Sequence, residues 1–135
     1  MTTLSIEEFT FLQMLLSTEG IGAARTLLLK NKFGTFNYIF KSHINALIEI
    51  EGINLLLANR IKSSALRYNE MLKETDSLFR NAEKQNASIT TYFDEEYPAP
   101  LRNIYLPPIV LFTKGEFLQD DENSVAIVGT RNPTQ

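Results

Sequence analysis

The hydrophobic spacing changes once along this chain of 135 residues, near residue 86, and that change constrains the fold more than any other feature. Before it, apolar residues recur at steps of three and four, which is the spacing of amphipathic helices. After it, short β-branched and aromatic runs separated by prolines predict strands. The sequence therefore predicts an α+β chain, with a helical bundle over residues 1–86 and the first strands of an α/β unit over residues 87–135.

Several helix ends are marked by residues that satisfy free backbone groups. Ser5 followed by Glu8 fits a capping box at the start of the first helix. Gly34 suits the left-handed position after the second helix. Thr35 and Ser42 are predicted to be the N-caps of two short helices. Together these signals divide the first fifty residues into four helices.

A single long helix is predicted from about residue 55 to residue 84, because its apolar residues form one narrow stripe. Packing against a neighbouring part of the protein explains such a stripe better than a coiled coil does. The helices are expected to share one core, with these members: Phe9, Leu12, Leu16, Leu27, Ile39, Leu47 and Ile61.

The tripeptide Glu-Gly-Ile occurs twice, at residues 19–21 and 51–53, each time between two helices. We call residues 19–22 the first hairpin and residues 51–54 the second hairpin. Both resemble the helix-hairpin-helix motif, in which glycines allow a tight turn and the next helix offers free amides to a phosphate. Gly20, Gly22 and Arg25 are candidate weak DNA contacts; the alternative is that both hairpins only pack helices and touch no DNA.

The second hairpin fits the motif less well than the first. Asn54 stands where the first hairpin has Gly22, and three leucines follow it where a phosphate-facing surface would be polar. The first hairpin is therefore the better candidate for a DNA contact.

Three strands are predicted after residue 86, over residues 89–93, 109–112 and 125–128. The two later strands are apolar on both faces, which is typical of a parallel sheet covered on both sides. No helix follows residue 128 to supply that cover. We therefore expect the chain to be the N-terminal piece of a larger protein.

The third strand leads into Gly129, Thr130 and Arg131, a turn that can bind phosphate. A glycine after a buried strand lets the backbone approach a ligand, and an arginine adds a bidentate donor for phosphate oxygens. Since no second glycine follows, the G-x-G-x-x-G fingerprint of a dinucleotide site is missing. An ordinary surface arginine after a turn is the alternative.

Composition excludes several classes of function. The chain has no cysteine, so disulfides and thiolate metal sites are excluded. Residues 91–135 hold seven acidic and three basic residues, so they are a poor platform for DNA on their own. Secretory and membrane-spanning patterns are missing, which favours a cytoplasmic protein without membrane contacts.

Candidates for catalysis and metal binding are weak. His43, the only histidine, has no nucleophile that sequence can place beside it, so we expect neither an enzyme nor a cofactor. The acidic runs at residues 94–96 and 120–122 lack the spacing of a calcium loop. We interpret them as solvated loops and predict no metal site.

Three motifs follow one another in the second half of the chain: Asp94-x-x-Tyr97-Pro98-x-x-Leu101-x-x-Ile104, then Pro107-Pro108-x-Val110-Leu111-Phe112-x-Lys114-Gly115, then Val125-Ala126-Ile127-Val128-Gly129-Thr130-Arg131. In order and spacing they resemble the DNA-processing protein A family (DprA/Smf). The helical half is similar to that family's less specific N-terminal domain, a SAM-like bundle with paired helix-hairpin-helix turns.

This resemblance implies a single-stranded-DNA-binding mediator that loads the recombinase RecA onto incoming DNA in natural transformation. It implies a Rossmann-like domain that binds the DNA and forms a homodimer, with Gly129, Thr130 and Arg131 in its phosphate pocket. Most of the DNA groove, the dimer surface and the RecA surface would then lie beyond Gln135. Two alternatives stay open: a Rossmann-like nucleotide-binding or nucleotide-hydrolysing enzyme, and a helical interaction module.

Overall fold

The structure is a computed structural model, and it describes residues 1–116 and residue 125. Its described part is α+β, with seven α-helices, one 3₁₀ turn and two strands. In chain order these are α1 (Ile6–Ser17), α2 (Ala23–Phe33), α3 (Phe36–Lys41), α4 (Ile44–Ile48), α5 (Leu55–Ser64), the 3₁₀ turn (Ala65–Arg67), α6 (Tyr68–Lys84), β1 (Ala87–Thr91), α7 (Ala99–Arg102) and β2 (Val110–Lys114).

Helix α1 is the centre of the helical bundle, since it packs against α2, α3, α5 and α6. It buries Phe9 and Leu12 completely. The Phe9 ring meets the ring of Phe79 edge-on, with 5.1 Å between centroids. The predicted common core is confirmed: Leu16 and Leu27 are partly buried, and the other five predicted members are fully buried.

The N-cap predicted at Ser5 is confirmed, but the reciprocal half of the capping box is replaced. The hydroxyl of Ser5 accepts a hydrogen bond from the amide of Glu8 at 3.2 Å. The carboxylate of Glu8 accepts instead from the amides of Phe36 (2.8 Å) and Asn37 (3.1 Å), at the start of α3. One side chain thereby satisfies free donors of a second helix and joins α1 to α3.

Of the next three predicted helix ends, two are confirmed and one is wrong. Gly34 follows α2 with a φ of 75°. Thr35 caps α3, because its hydroxyl accepts from the amide of Tyr38 at 3.3 Å. Ser42 is not an N-cap: its hydroxyl donates back to the carbonyl of Ile39 at 2.8 Å, and α4 begins after His43 without a side-chain cap.

The predicted single helix over residues 55–84 is also wrong, since the 3₁₀ turn separates α5 from α6. The turn follows two serines whose hydroxyls bond back to helix carbonyls. Ser63 donates to the carbonyl of Asn59 and Ser64 to that of Ile61, both at 2.8 Å. Such bonds compete with the helix ladder and commonly bend helices. The apolar stripe continues across the bend, so spacing alone did not reveal it.

The two described strands form an antiparallel pair, in which Ile89 lies opposite Phe112. The sequence had assigned the strand at residues 109–112 to a parallel sheet with cover on both faces. That assignment is wrong for the described pairing, and the Phe112 side chain is 58% exposed. Apolar content alone does not distinguish a doubly covered strand from one with a single buried face. The strand predicted at residues 125–128 falls outside the described residues, apart from residue 125.

Strand β1 packs against α6, so the sheet and the helical bundle are in contact. Ile89 of β1 and Ile109, next to β2, belong to the same buried cluster as the helical core. The division of the chain into units 1–86 and 87–135 stays a prediction. In the part of the chain that the structure describes, no helix is both long and apolar enough to cross a membrane.

Candidate nucleic-acid interface

The two hairpins have the same backbone geometry. Gly20 and Gly52 occupy equivalent positions with φ of 93° and 79°, a region that L side chains rarely adopt. In the first hairpin the amide of Ile21 donates to the carbonyl of Thr18 at 3.0 Å. In the second, the amide of Ile53 donates 3.0 Å to the carbonyl of Ile50. The repeated tripeptide therefore folds into the same turn twice.

The hairpins lie against each other and exchange equivalent contacts. A Cβ on Gly20 would lie 3.2 Å from Cδ1 of Leu57, and a Cβ on Gly52 would lie 3.2 Å from Nε of Arg25. Arg25 and Leu57 are themselves equivalent, because both pairs are 32 positions apart in the sequence. Each glycine therefore makes room for the residue five positions after the other glycine.

Arg25 joins the two hairpins through their backbone. Its Nε donates to the carbonyl of Gly52 at 3.0 Å, and its Nη1 donates to the carbonyl of Gly20 at 2.7 Å. The structure thus brings Gly20, Gly22 and Arg25 together, as predicted for a DNA contact. It also gives the guanidinium two carbonyl partners, and contact between these residues and DNA stays a prediction.

The hairpins differ in what they present at the start of the next helix. Gly22 precedes α2 and has no side chain, so the N-cap residue offers no side-chain acceptor to the first amides of α2. Asn54 caps α5 by accepting from the amide of Leu57 at 2.9 Å. Leu55 and Leu56 follow it with exposed side chains. Only the first hairpin therefore has the features of an anion-binding turn.

Asp94, the first residue of the longest sequence motif, is buried and joins the N-terminal segment to the end of β1. Its Oδ1 accepts from the amide of Thr3 at 2.7 Å and from the Thr3 hydroxyl. Its Oδ2 accepts from the amide (2.6 Å) and the hydroxyl (2.7 Å) of Thr91. The side chain is 2% exposed, so the prediction of a solvated acidic loop is wrong at this residue.

The hydrogen bonds to Asp94 keep its carboxyl ionised. Burial by itself would raise the pKa, because water no longer solvates the charge. The bonds from Thr3 and Thr91 outweigh burial and lower the pKa of Asp94 from 3.8 to about 2. A buried carboxylate with four donors explains why this residue type suits the position without any role in catalysis.

Arg102 fastens the rest of the same motif, and sequence reasoning missed it. Its Nη1 donates to the carbonyl of Tyr92 at 2.7 Å, and its Nη2 donates to the carbonyl of Asp94. The guanidinium lies 5.1 Å from the ring centroids of both Tyr92 and Tyr97. The hydroxyl of Tyr97 donates to the carbonyl of Pro108 at 2.7 Å. In the described structure the residues of this motif therefore hold one another in place. The signal in the sequence that could have predicted this was an arginine close to two tyrosines.

The predicted phosphate turn of Gly129, Thr130 and Arg131 lies outside the described residues, as does the acidic run at residues 120–122. Across residues 1–116 no group of three His, Asp or Glu side chains is placed to hold a metal ion.

Comparison with known proteins shows what the second half of the chain is similar to. Residues 88–135 match the family model described as DNA recombination-mediator protein A. Over 79 residues the chain is 33% identical to the DNA processing protein DprA of Bacillus subtilis (strain 168), a match that covers 56% of this chain and 27% of that protein. The resemblance to the DNA-processing protein A family is confirmed.

The chain spans about a quarter of the length of this curated relative. No solved structure matches the chain. The comparisons therefore concern sequence, and the arrangement of the residues comes from the structure described above.

Proposed function

We propose that this chain is part of a single-stranded-DNA-binding recombination mediator that loads RecA during natural transformation. The observation that carries the proposal is the match of residues 88–135 to the recombination-mediator family. The matched segment contains Asp94, Tyr97 and Arg102, and it also contains Gly129, Thr130 and Arg131. The function is one of binding and handing over DNA, without catalysis and without a cofactor.

Phosphate binding by the turn at Gly129, Thr130 and Arg131 is the central part of the proposal. Glycine permits close approach of the backbone, and an arginine after it can form two parallel hydrogen bonds to one phosphate. Such contacts position a strand without reading its sequence. This suits a mediator that must accept any incoming DNA.

The first hairpin contributes a weaker contact through Gly20, Gly22 and Arg25. The uncapped start of α2 supports this part, because free amides and the helix dipole favour an anion there. With its Nε and Nη1 directed at carbonyls, Arg25 acts on a phosphate mainly by fixing the turn. The second hairpin, capped by Asn54 and followed by exposed leucines, takes no part.

The whole protein is proposed to be a cytoplasmic homodimer. Its SAM-like helical unit covers residues 1–86, and a Rossmann-like unit begins at residue 87. RecA and single-stranded DNA are its partners, and it makes no contact with membranes. Support comes from the family match and from the DprA relative, of which this chain covers 27%.

The experiment is a titration of fluorescent single-stranded oligonucleotide at several salt concentrations. Arg131→Ala should weaken binding equally for unrelated sequences and reduce the salt slope, because one phosphate contact is lost. Arg80→Ala is the matched control, since Arg80 pairs with Asp76 on the exposed side of α6. Equal affinity for wild type and Arg131→Ala at every salt concentration would refute the phosphate turn.

RecA loading needs its own assay. RecA filaments should form faster on oligonucleotide coated with single-strand-binding protein when the wild-type protein is added. Arg131→Ala should reduce this acceleration, and Arg80→Ala should not. If wild type binds DNA without accelerating filament formation, the mediator role fails while DNA binding stands.

A further inference from the structure

A groove of about 560 Å³ lies beside the first hairpin. One wall is the end of α1 with Glu19, and the other is the outward face of α5 and the 3₁₀ turn. Leu56, Arg60 and Ser63 of α5 share that second wall with Arg67 of the 3₁₀ turn. We call this the α5 groove.

Two arginines are the main donors of the α5 groove. Arg60 lies in α5 and Arg67 in the 3₁₀ turn that follows it, so a rise of about 1.5–2.0 Å per residue places them roughly 10–14 Å apart along the chain. Their side chains are 41% and 58% exposed, so both are accessible to a ligand. The groove's serine hydroxyls are already used: Ser63, for example, donates to the carbonyl of Asn59. Recognition therefore depends on the guanidinium groups.

Each arginine has one carboxylate partner that a stronger anion can replace. Arg60 lies 3.4 Å from Glu19, whose side chain is 84% exposed. The Nε of Arg67 lies 3.0 Å from Glu70, whose side chain is 60% exposed. Exposed ion pairs contribute little to stability and are screened by salt. A ligand with several adjacent negative charges can bind both arginines at once, which a single carboxylate cannot do.

The chemistry of the groove fits a sugar-phosphate backbone. Among the described residues that line it none is aromatic, so these residues offer no ring on which bases could stack. Guanidinium groups bind phosphate oxygens in a bidentate manner, and the exposed side chain of Leu56 offers apolar contact to sugars. Such a site holds nucleic acid without reading its bases.

The position of the groove adds a second reason. Arg60 also donates, at 3.4 Å, to the carbonyl of Glu19, the residue before Gly20. The groove therefore begins at the first hairpin. Arg25, the arginine closest to that turn in sequence, is held by two carbonyls of the hairpins. Arg60 and Arg67 are left as the cations that a strand leaving this hairpin along α5 would meet.

We infer that Arg60 and Arg67 form a nucleic-acid backbone site in the α5 groove, in addition to the contact proposed for Gly129, Thr130 and Arg131. The choice of nucleic acid as the ligand rests on the proposed function. The geometry of the groove is observed independently of that function. The site takes phosphates of any sequence and continues the contact that the first hairpin begins.

The test measures binding of a single-stranded oligonucleotide and of a duplex of the same length to the 135-residue chain. For single strands each lost contact should reduce the salt slope by about 0.7, which corresponds to roughly fivefold weaker binding near 0.1 M salt. Arg60→Gln and Arg67→Gln should each have this effect. Arg80→Gln, which removes the same charge and a similar surface ion pair on α6, should not.

Glu19→Gln provides a test in the opposite direction. It removes the carboxylate that competes for Arg60, so binding should become tighter, whereas Asp76→Asn beside Arg80 should change it less. Circular dichroism of every variant establishes that the fold is kept. If the site prefers single strands or duplex, Arg60→Gln and Arg67→Gln should weaken binding of the preferred form more than binding of the other form.

Two outcomes would overturn the inference. The first is Arg60→Gln and Arg67→Gln binding DNA as tightly as Arg80→Gln does. The second is binding of an acidic peptide that depends on these arginines while DNA binding does not. Either result leaves the effect of Arg131→Ala unchanged, so failure of the groove is distinguishable from failure of the phosphate turn. Loss of binding in Arg60→Gln with no effect of Arg131→Ala would support the groove and refute the turn.

Discussion

Arg25 and Asp94 both hold distant segments together, but they do so with opposite charges. Arg25 donates to carbonyls of two hairpins, one of them 27 residues away. Asp94 accepts from Thr3, 91 residues away, and from Thr91. A guanidinium stays charged at every pH that a protein survives, whereas a carboxylate can be neutralised. The hairpin junction is therefore insensitive to pH, and the Asp94 junction is sensitive to acid.

The largest effect is expected from Asp94→Ala. It leaves two amides and two hydroxyls without an acceptor in a buried place, so the free energy of unfolding should fall by about 3 kcal/mol. Urea denaturation measures the change. Glu95→Ala, an exposed neighbour, is the control and should lie within about 0.5 kcal/mol of wild type. A loss for Asp94→Ala no greater than that of the control would show that the junction contributes nothing.

The pH dependence should distinguish the two junctions. Because the folded pKa of Asp94 is lowered from 3.8 to about 2, its charge stabilises the fold by about 2 kcal/mol above pH 4. This contribution should disappear as the pH falls from about 4 to about 2. Unfolding of wild type and Asp94→Ala across this range should show the gap between them narrowing. A constant gap would mean that the carboxyl is not held ionised.

Arg25→Lys tests the other junction. A lysine ammonium cannot reproduce the fork that reaches the carbonyls of Gly20 and Gly52, so a loss of about 1–2 kcal/mol is expected. The loss should be the same at pH 4 and pH 7. Arg80→Lys, on the exposed face of α6, should change stability by less than about 0.5 kcal/mol. If both variants behave alike, Arg25 does not fasten the hairpins.

The smallest effect is expected from Gly22→Ala. Gly22 has an ordinary φ of −114°, and no atom of residues 1–116 lies within 4 Å of a Cβ built there. Stability should change by less than about 0.5 kcal/mol, because the freedom that the unfolded chain loses offsets the poorer N-cap that alanine makes. Gly52→Ala should instead cost about 1–2 kcal/mol, since its φ is 79°. Similar results for both variants would mean that Gly52 does not need the left-handed backbone conformation described.

The sequence predicted features that depend on neighbours along the chain and missed those that depend on distant partners. Ser5, Gly34 and Thr35 were recognised because capping involves residues a few positions away. Ser42 was misjudged because a serine between two helices can serve either one, and here it bonds back to Ile39. The bend after Ser64 was hidden by an apolar stripe that runs through it.

The candidate sites show the same limit. The repeat of Glu-Gly-Ile predicted two equivalent turns, and the structure has them. That Arg25 reaches across to Gly52 could not be predicted, since only tertiary packing brings the hairpins together. Asp94 was read as solvated because its partner Thr3 is remote in sequence. Arg60 and Arg67 gave no signal by type or spacing until the end of α1 formed the opposite wall of their groove.

The exchange of contacts between the hairpins also sets the order of events during synthesis. Gly20 packs against Leu57, so the first hairpin cannot complete its surroundings until 37 further residues have been made. At the usual rate of about 5–20 residues per second, the ribosome takes roughly 2–7 seconds to add them. During that interval α1 lacks the packing that α5 supplies. The two hairpins are therefore expected to fold as one cooperative step, late in the emergence of the helical half.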